Sequence, residues 1–251
     1  MRAVGVIPAR LHSTRLPRKL LLAETGRPLI EYAWRSACRA ATLEEVIVAT
    51  DSAEIVAAVE AFGGRAELTG EHASGTDRVA EVVERCCPDA EIVVNVQGDE
   101  PELDPAAVDR LVEQLVERPT SQMATLACPI REEEILCDPS CVKVVTTSDG
   151  RAMYFSRHPI PFCRDGVIPD LIAGDSPWLL HVGLYAYRRE FLLVLRDLPP
   201  SSLETLECLE QLRALQHGAT IHVSVAEHSA VGIDTPDDYA RFIDRVRGRA
   251  A

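Results

Sequence analysis

The start of the chain constrains the fold most, because an apolar segment there runs directly into a cationic loop. Residues 4–19 read VGVIPARLHSTRLPRK. The apolar residues from Val4 to Ile7 are typical of a strand buried on both faces, and Pro8 ends such a strand since proline has no N–H to donate. Ligands of open α/β sheets bind beyond the carboxyl ends of the strands. The sequence therefore predicts a ligand site directly after the first strand.

The charge of the loop indicates which ligand. Residues 1–39 contain only two acids but eight basic residues, at positions 2, 10, 15, 18, 19, 27, 35 and 39. The whole chain has 26 Lys+Arg against 39 Asp+Glu, a net charge of −13. A local positive field on an acidic protein favours a small polyanion such as a phosphate, whereas nucleic acid requires a broad basic surface. A solvated basic loop is the alternative, and the loop matches neither GxxxxGK[ST] nor GxGxxG.

The first half of the chain alternates strand and helix patterns. Strands are predicted at 45–50, 66–68 and 91–97, and helices after Pro28 and at 53–62, 77–87 and about 105–118. This order predicts a parallel sheet with right-handed crossovers. From residue 123 the pattern is less regular, with strand-like segments, a helix at 202–216, a strand at 220–226 and a last helix to about 247.

The predicted fold class is therefore α/β. A mainly parallel sheet with helices on both faces forms a core from residues 1–122 and 218–251, and residues 123–217 form an inserted mixed-sheet subdomain of the same single domain. No apolar run approaches the ~20 residues that span a bilayer, and the N-terminus lacks a signal-peptide pattern, so a cytoplasmic protein is expected. The eight cysteines form no CxxC pair and are interpreted as reduced thiols.

Two acids occupy positions that amphipathicity does not explain. Asp99 follows the central strand, and Asp234 lies in the turn GIDTP before a proline-started helix. Next to a phosphate loop, two such carboxylates indicate Mg²⁺, which binds one or two carboxylates together with phosphate oxygens. For Asp234 alone, a helix cap is the stronger alternative.

The irregular segment contains candidates for a polar ligand. Arg157 could bind a carboxylate bidentately, and Glu207 and Gln211, four apart on the predicted helix, would share a face suited to sugar hydroxyls. A lone His181 is more often a core or surface residue, and the glutamates could form a solvated face. In residues 74–78, SGTDR, Gly75 would allow a planar base to approach, although a helix cap is at least as plausible.

Nine motifs in chain order resemble those of the 3-deoxy-manno-octulosonate cytidylyltransferases. They are the single stretch IPAR…STRLP at 7–17, ATD at 49–51, SGTDR at 74–78, VNVQGDEP at 94–101, VKVV at 142–145, YFSR at 154–157, HVGLY at 181–185, LEQLR at 209–213 and GIDTP at 232–236. The resemblance covers essentially the whole chain. It implies a nucleotidyltransferase-type, Rossmann-like α/β fold whose sugar-binding subdomain also forms a homodimer.

The resemblance also implies an activity and the residues that perform it. The substrates would be CTP and 3-deoxy-manno-octulosonate (Kdo), and the products CMP-Kdo and pyrophosphate, for lipopolysaccharide biosynthesis. Lys19, Asp99 and Asp234 would be catalytic, and Asp99 and Asp234 would hold Mg²⁺. The nucleotide would be bound by Pro8, Ala9, Arg10, Arg15, Lys19, Ser74, Gly75, Arg78 and Gln97. The sugar would be bound by Arg157, His181, Tyr185, Glu207, Glu210 and Gln211.

Alternatives remain open at this point. The acidic sugar could be an amino analogue of Kdo or sialic acid, or the chain could be a catalytically silent nucleotide sensor with the same fold. The chain also departs from the family pattern at Leu11-His12 and Arg18, among other positions. We expect these departures to lie away from the ligand groups, except that Arg18 could add a phosphate contact.

Overall fold

The computed structural model describes residues 1–164, 166, 169–227 and 232–250. The first elements are β1 (Ala3–Ala9), α1 (Leu29–Ala37), β2 (Leu43–Thr50), α2 (Ala53–Ala61), β3 (Arg65–Leu68), α3 (Gly75–Cys86), β4 (Ile92–Asn95) and α4 (Pro105–Glu117). Next come β5 (Met123–Pro129), α5 (Glu133–Cys137), β6 (Lys143–Thr146), β7 (Ala152–Ser156), α6 (Pro169–Ala173), β8 (Leu179–Arg188) and α7 (Arg189–Asp197). The last are α8 (Ser202–Glu207), α9 (Gln211–Gln216), β9 (Ile221–Val225) and α10 (Pro236–Ala250).

The chain divides into two compact units. Unit 1 comprises Met1–Asp109 and Ala230–Ala251, and unit 2 comprises Arg110–Ser229. Within the described residues, no helix combines the length and apolar composition needed to cross a bilayer.

Unit 1 contains parallel strands in the order β3-β2-β1-β4. β1 pairs on both sides, with Val6 opposite Ile47 of β2 and Asn95 of β4. The side chains of β4 and nearly all of those of β1 are buried, which explains their continuous apolar sequences. The carboxyl ends of β1 and β4 therefore meet at one edge of the sheet, and the cationic loop begins there.

Local signals place the helices of unit 1 close to their predicted positions. The Ser52 hydroxyl accepts a hydrogen bond from Ile55 N at the start of α2, and the Ser74 hydroxyl accepts one from Asp77 N at the start of α3. After α2, Gly63 turns the chain with a φ of 83°, which glycine adopts without a steric penalty. Because Ser74 is the cap, α3 begins at Gly75, two residues earlier than predicted.

Unit 2 contains the mixed pairing predicted for the irregular segment. β5 is antiparallel to β8 and parallel to β9, and β6 is antiparallel to both β7 and β8. Antiparallel and parallel ladders therefore occur together, as expected from a segment without regular strand–helix alternation.

The single helix predicted at 202–216 is wrong. The chain forms α8, which ends at Glu207, and α9, which begins at Gln211, because Cys208 adopts a left-handed conformation with a φ of 52°. Glu207 and Gln211 therefore do not share a helix face. A non-glycine residue rarely adopts this conformation, so no turn residue in the sequence signals the break.

Candidate functional site

A cavity of about 390 Å³ opens at the carboxyl edge of the unit 1 strands. Its walls come from the cationic loop, the start of α3, the segment after β4 and the turn before α10. A larger cavity of about 730 Å³ lies between α1 and α10 in the same unit and contains none of the predicted site residues. The smaller cavity is therefore the candidate site.

Lys19 lines this cavity and bridges two of its acids. Its Nζ lies 2.5 Å from Asp99 Oδ2, 2.9 Å from Asp234 Oδ1 and 3.1 Å from the Ile233 carbonyl oxygen. Burial alone would lower the pKa of Lys19, but the Asp99 and Asp234 carboxylates outweigh it and raise the pKa above its ordinary value. The ammonium is thus charged at every physiological pH and bridges the two acids.

The tertiary structure brings the two acids together although they are 135 residues apart (234 − 99). Asp99 follows β4, and its main-chain carbonyl accepts a hydrogen bond of 2.9 Å from Ile233 N. The turn before α10 is therefore attached to the segment after β4. Arg15 adds a second cation, with Nη2 3.0 Å from Asp234 Oδ2.

The helix-cap interpretation of Asp234 is not supported, because Thr235 is the cap of α10. The Thr235 hydroxyl accepts a hydrogen bond of 3.2 Å from Asp238 N, and Asp238 Oδ2 accepts hydrogen bonds from the main-chain N–H groups of Asp234 and Thr235. The Asp234 carboxylate is left to interact with Lys19 and Arg15.

The donor set fits a hard divalent cation that also binds phosphate. Asp99 and Asp234 provide carboxylate oxygens that already share a positive charge. Within the described ranges, no group of three or more His, Cys, Asp or Glu side chains could hold a metal. Two carboxylates completed by phosphate and water oxygens are typical of Mg²⁺ in nucleotide enzymes.

Glu100 is a further ionisable group of this edge that the sequence analysis missed. Burial, followed by the neighbouring charge of Asp99, raises the pKa of Glu100 to about 7. Its Oε2 is buried and has no hydrogen-bond partner among the described residues. The only sequence signal was its position directly after Asp99.

The predicted nucleotide residues fall into two groups. Those that line the cavity are Pro8, Arg10, Arg15, Lys19, Gly75 and Gln97. An added Cβ at Gly75 would lie 3.4 Å from Pro8 Cγ, which is an ordinary contact distance. His12, which departs from the family pattern, also lines the cavity, so the expectation that it lies away from the ligand groups is wrong. Arg18, another departure, forms an ion pair with Glu54.

The other three predicted nucleotide residues have structural contacts instead. Ala9 is buried in β1, and Ser74 caps α3. Arg78 is completely buried, with Nη2 2.5 Å from Asp51 Oδ2 and Nη1 donating to the Thr69 hydroxyl. A role of Arg78 in nucleotide binding therefore stays a prediction.

Unit 2 places His181 and Tyr185 in an aromatic cluster. The His181 ring lies 5.0 Å from Phe155 and 5.3 Å from Tyr185, between ring centroids. Thr125 donates its hydroxyl hydrogen to a main-chain carbonyl, so His181 Nε2, 3.0 Å away, acts as donor to the Thr125 oxygen. Burial lowers the pKa of His181 to about 3, and burial, with Tyr187 and Glu210 nearby, raises the pKa of Tyr185. Both side chains are neutral at ordinary pH.

Arg157 and Glu207 connect β7 to the end of α8. Arg157 donates from Nε to the Glu207 carbonyl at 2.7 Å, from Nη1 to the Pro139 carbonyl at 2.9 Å and from Nη2 to the Cys208 carbonyl at 3.3 Å. The Glu207 carboxylate accepts from the Ser156 hydroxyl at 2.7 Å and from Arg157 N at 2.8 Å. The Glu207 carboxylate therefore holds the end of β7 and the main chain of Arg157. The sequence did not indicate this structural role.

Glu210 and Gln211 lie where α9 begins. Glu210 precedes its first residue and is half-buried. Gln211 is only 5 % exposed, and its Nε2 is buried without a hydrogen-bond partner in the part of the chain that the structure describes. Such an orphaned donor is costly, which is typical of a group that meets a ligand.

Comparisons with known proteins show which family the chain belongs to. The family model described as cytidylyltransferase matches residues 4–221. The 3-deoxy-manno-octulosonate cytidylyltransferase of Rhodopirellula baltica is 46 % identical over 99 % of this chain and all of its own length. The protein of the same name from Geobacter sulfurreducens is 44 % identical over 98 % of this chain and all of its own length.

A solved structure has the same fold as this chain. The structure of CMP:2-keto-3-deoxy-manno-octonic acid synthetase complexed with CTP superposes with a TM-score of 0.91 at 40 % identity, and covers 99 % of this chain and all of its own. The α/β fold class predicted from the sequence and the resemblance drawn from the nine motifs are both confirmed. The chain belongs to the 3-deoxy-manno-octulosonate cytidylyltransferase family.

Proposed function

We propose that this chain activates Kdo with CTP and releases CMP-Kdo and pyrophosphate, in lipopolysaccharide biosynthesis. Full-length relatives at 46 % and 44 % identity bear the name of this enzyme. The structural observation that carries the proposal is Lys19, held between Asp99 and Asp234 in a cavity lined by cations. Cations and carboxylates in one small cavity suit a metal–triphosphate complex, which carries both signs of charge.

The cationic loop binds the triphosphate in this proposal. Arg10, Arg15 and Lys19 all line the cavity and bring three positive charges to it. Guanidinium groups bind phosphate oxygens with two parallel hydrogen bonds, and the ammonium acts as a point charge. The loop therefore neutralises charge that develops on the phosphates as pyrophosphate leaves.

Asp99 and Asp234 are the residues that would hold Mg²⁺. The bound ion would neutralise phosphate charge and acidify the attacking hydroxyl. With Lys19, these two acids form the proposed catalytic set. Positioning and charge neutralisation account for most of the catalysis in phosphoryl-type transfer, and we assign no protein group as general base.

Unit 2 supplies the groups that suit an acidic sugar. Arg157 offers a guanidinium for the carboxylate, and neutral His181 and Tyr185 suit hydroxyl groups. Gln211 has an orphaned donor, and Glu210 lies beside it in sequence. Glu207 contributes by holding Arg157. In the reaction, the C2 hydroxyl of the sugar attacks the α-phosphorus of CTP. The bond between the α-phosphorus and the oxygen that bridges to the β-phosphorus breaks, so pyrophosphate leaves. The proton of the hydroxyl passes to solvent.

We also propose that the enzyme prefers cytosine, acts in the cytoplasm and forms a homodimer through the subdomain of residues 123–217. The base would lie near Gly75, which lines the cavity and has no side chain to obstruct a planar ring. Polar groups placed for one base edge are left unpaired by another base, which gives strong discrimination.

A pyrophosphate-release assay tests the proposal. CTP, UTP and ATP are each combined with Kdo, 8-amino-Kdo and sialic acid, with and without a chelator. We expect turnover with CTP and Kdo, loss of turnover with the chelator and its return with Mg²⁺. Equal turnover with UTP would refute the base assignment, preference for another sugar would refute the Kdo assignment, and no turnover with any pair would indicate a nucleotide sensor.

A further inference from the structure

Lys143 in β6 is a completely buried lysine whose ammonium is held by main-chain carbonyls. The carbonyl oxygens of Asp138, Cys141 and Arg157 lie 2.9, 2.5 and 2.5 Å from Nζ. An ammonium has three N–H donors, so these three carbonyls satisfy all of them. Burial lowers the pKa of Lys143. Lysine is almost never fully buried unless its charge is compensated, so this arrangement needs an explanation.

All three carbonyls belong to the surroundings of Arg157. One is the carbonyl of Arg157 itself. The other two, of Asp138 and Cys141, lie at the ends of a short turn, and the Pro139 carbonyl inside this turn accepts the hydrogen bond from Arg157 Nη1. Lys143 therefore holds both the main chain of Arg157 and the turn that supports its guanidinium.

The Arg157 guanidinium is held in one orientation by hydrogen bonds to carbonyls and still has N–H donors for a ligand. Three of the five N–H donors of Arg157 point to carbonyls, and within the described ranges this leaves one on each terminal nitrogen. Two donors on the terminal nitrogens match the two oxygens of a carboxylate. The orientation of these donors depends on the turn and main chain that Lys143 holds.

We propose that Lys143 is a positioning residue for the acidic sugar: its ammonium fixes the Asp138–Cys141 turn and the Arg157 main chain, and so presets the Arg157 guanidinium for the sugar carboxylate. The inference rests on the proposed function, in which Arg157 binds that carboxylate. Lys143 itself touches no substrate, because its whole head group is bonded to main chain. Its effect reaches the sugar only through Arg157.

The test compares steady-state kinetics of the full-length Lys143→Met, Lys143→Gln and Arg157→Ala variants with Kdo and CTP. We expect Lys143→Met to raise the KM for Kdo roughly tenfold to a hundredfold, with the KM for CTP nearly unchanged. Lys143→Gln keeps two N–H donors for the carbonyls. It should therefore fold even if Lys143→Met is too unstable to fold, and it should give a smaller rise in the KM for Kdo. Arg157→Ala should raise the same constant at least as much as Lys143→Met.

Arg188→Met is the matched control. Arg188 is also a cation held by carbonyls in unit 2, with Nε 2.8 Å from Ser121 O and Nη2 2.7 Å from Leu115 O, and these contacts do not involve Arg157. Its loss should lower the melting temperature without a selective effect on Kdo. Equal effects on the KM for Kdo in Arg188→Met and the Lys143 variants would make Lys143 a structural residue and overturn the inference.

The remaining outcomes separate this inference from the proposed function. If Arg157→Ala raises the KM for Kdo while folded Lys143→Gln and Lys143→Met do not, the positioning role is refuted and the proposed function stands. If Arg157→Ala leaves the KM for Kdo unchanged, the sugar role of Arg157 fails and the role of Lys143 fails with it. If the parent protein does not turn over Kdo, the proposed function itself fails.

Discussion

The ammonium of Lys19 lies 2.5 Å from the Asp99 carboxylate and occupies the space between Asp99 and Asp234. In the free protein, a cation of the chain itself therefore compensates the two acids. The phosphates of a nucleotide would draw Lys19 and Arg15 toward themselves and leave the carboxylates to a metal. Metal and nucleotide binding should then be coupled.

The first prediction concerns that coupling. We expect Mn²⁺, measured by electron paramagnetic resonance, to bind the free parent protein weakly and to bind at least about tenfold more tightly to Lys19→Met, because two uncompensated carboxylates then face each other. Arg10→Met is the control: it removes one positive charge from the same loop and so measures the effect of lower loop charge alone on Mn²⁺ binding. If Lys19→Met and Arg10→Met bind Mn²⁺ equally, Lys19 does not compete with the metal.

The second prediction concerns the two acids themselves. Asp99→Asn and Asp234→Asn should each lower kcat on the order of 10²-fold or more, because each removes charge that stabilises the transition state. Asp237→Asn, an exposed acid in the first turn of α10, is the matched control and should retain its kcat. Near-normal kcat of Asp234→Asn at limiting Mg²⁺ would exclude Asp234 as a metal ligand.

The third prediction concerns the ion pair between the buried Arg78 and Asp51. Arg78→Met should lower the free energy of unfolding by about 2 kcal/mol, since it removes the hydrogen bonds from the buried guanidinium to the Thr69 hydroxyl and to the partly exposed Asp51 carboxylate. Urea unfolding measures this change. Arg85→Met removes an exposed ion pair from the same helix and should cost less than about 1 kcal/mol. A loss of CTP affinity without a loss of stability in Arg78→Met would assign Arg78 to the nucleotide instead.

The fourth prediction gives opposite signs for stability and sugar binding. Gln211→Met should be at least as stable as the parent, because it removes a buried N–H group without a hydrogen-bond partner in the described structure. The same change should raise the KM for Kdo, since the sugar loses that donor. Gln216→Met, at the exposed end of α9, should leave the KM unchanged. A destabilised Gln211→Met with an unchanged KM would contradict a ligand-binding role.

The fifth prediction concerns pH. The pKa of His181 is lowered from 6.5 to about 3 by burial, so between these values the unfolded chain binds a proton that the folded chain does not. Stability therefore falls as pH falls through this window, and His181 accounts for about 2 kcal/mol of the loss at pH 5. In His181→Gln, the stability difference between pH 7.5 and pH 5 should be smaller by that amount. An equal pH dependence in parent and variant would mean that His181 titrates normally.

Local structure was largely determined by the sequence, because its causes lie within a few residues of one another. The apolar runs of β1 and β4, the caps Ser52 and Ser74 and the turn at Gly63 all act over one or two turns of chain. The cationic loop after β1 was predicted in the same way. The break at Cys208 was missed because no glycine or proline marks it.

The pairing of charges was decided only by the tertiary structure. Asp99 and Asp234 come together because the parallel strands of unit 1 end at one edge and the turn before α10 is bonded to the segment after β4. The elements that pack against a cation decide whether it meets a ligand or a carboxylate of the chain, as the buried Arg78 meets Asp51. The same holds for Glu207, which holds Arg157, and for Lys143, whose charge is compensated by three carbonyls. Residue type and spacing in the sequence determine which groups are available, but packing determines their partners and hence their charge state and orientation.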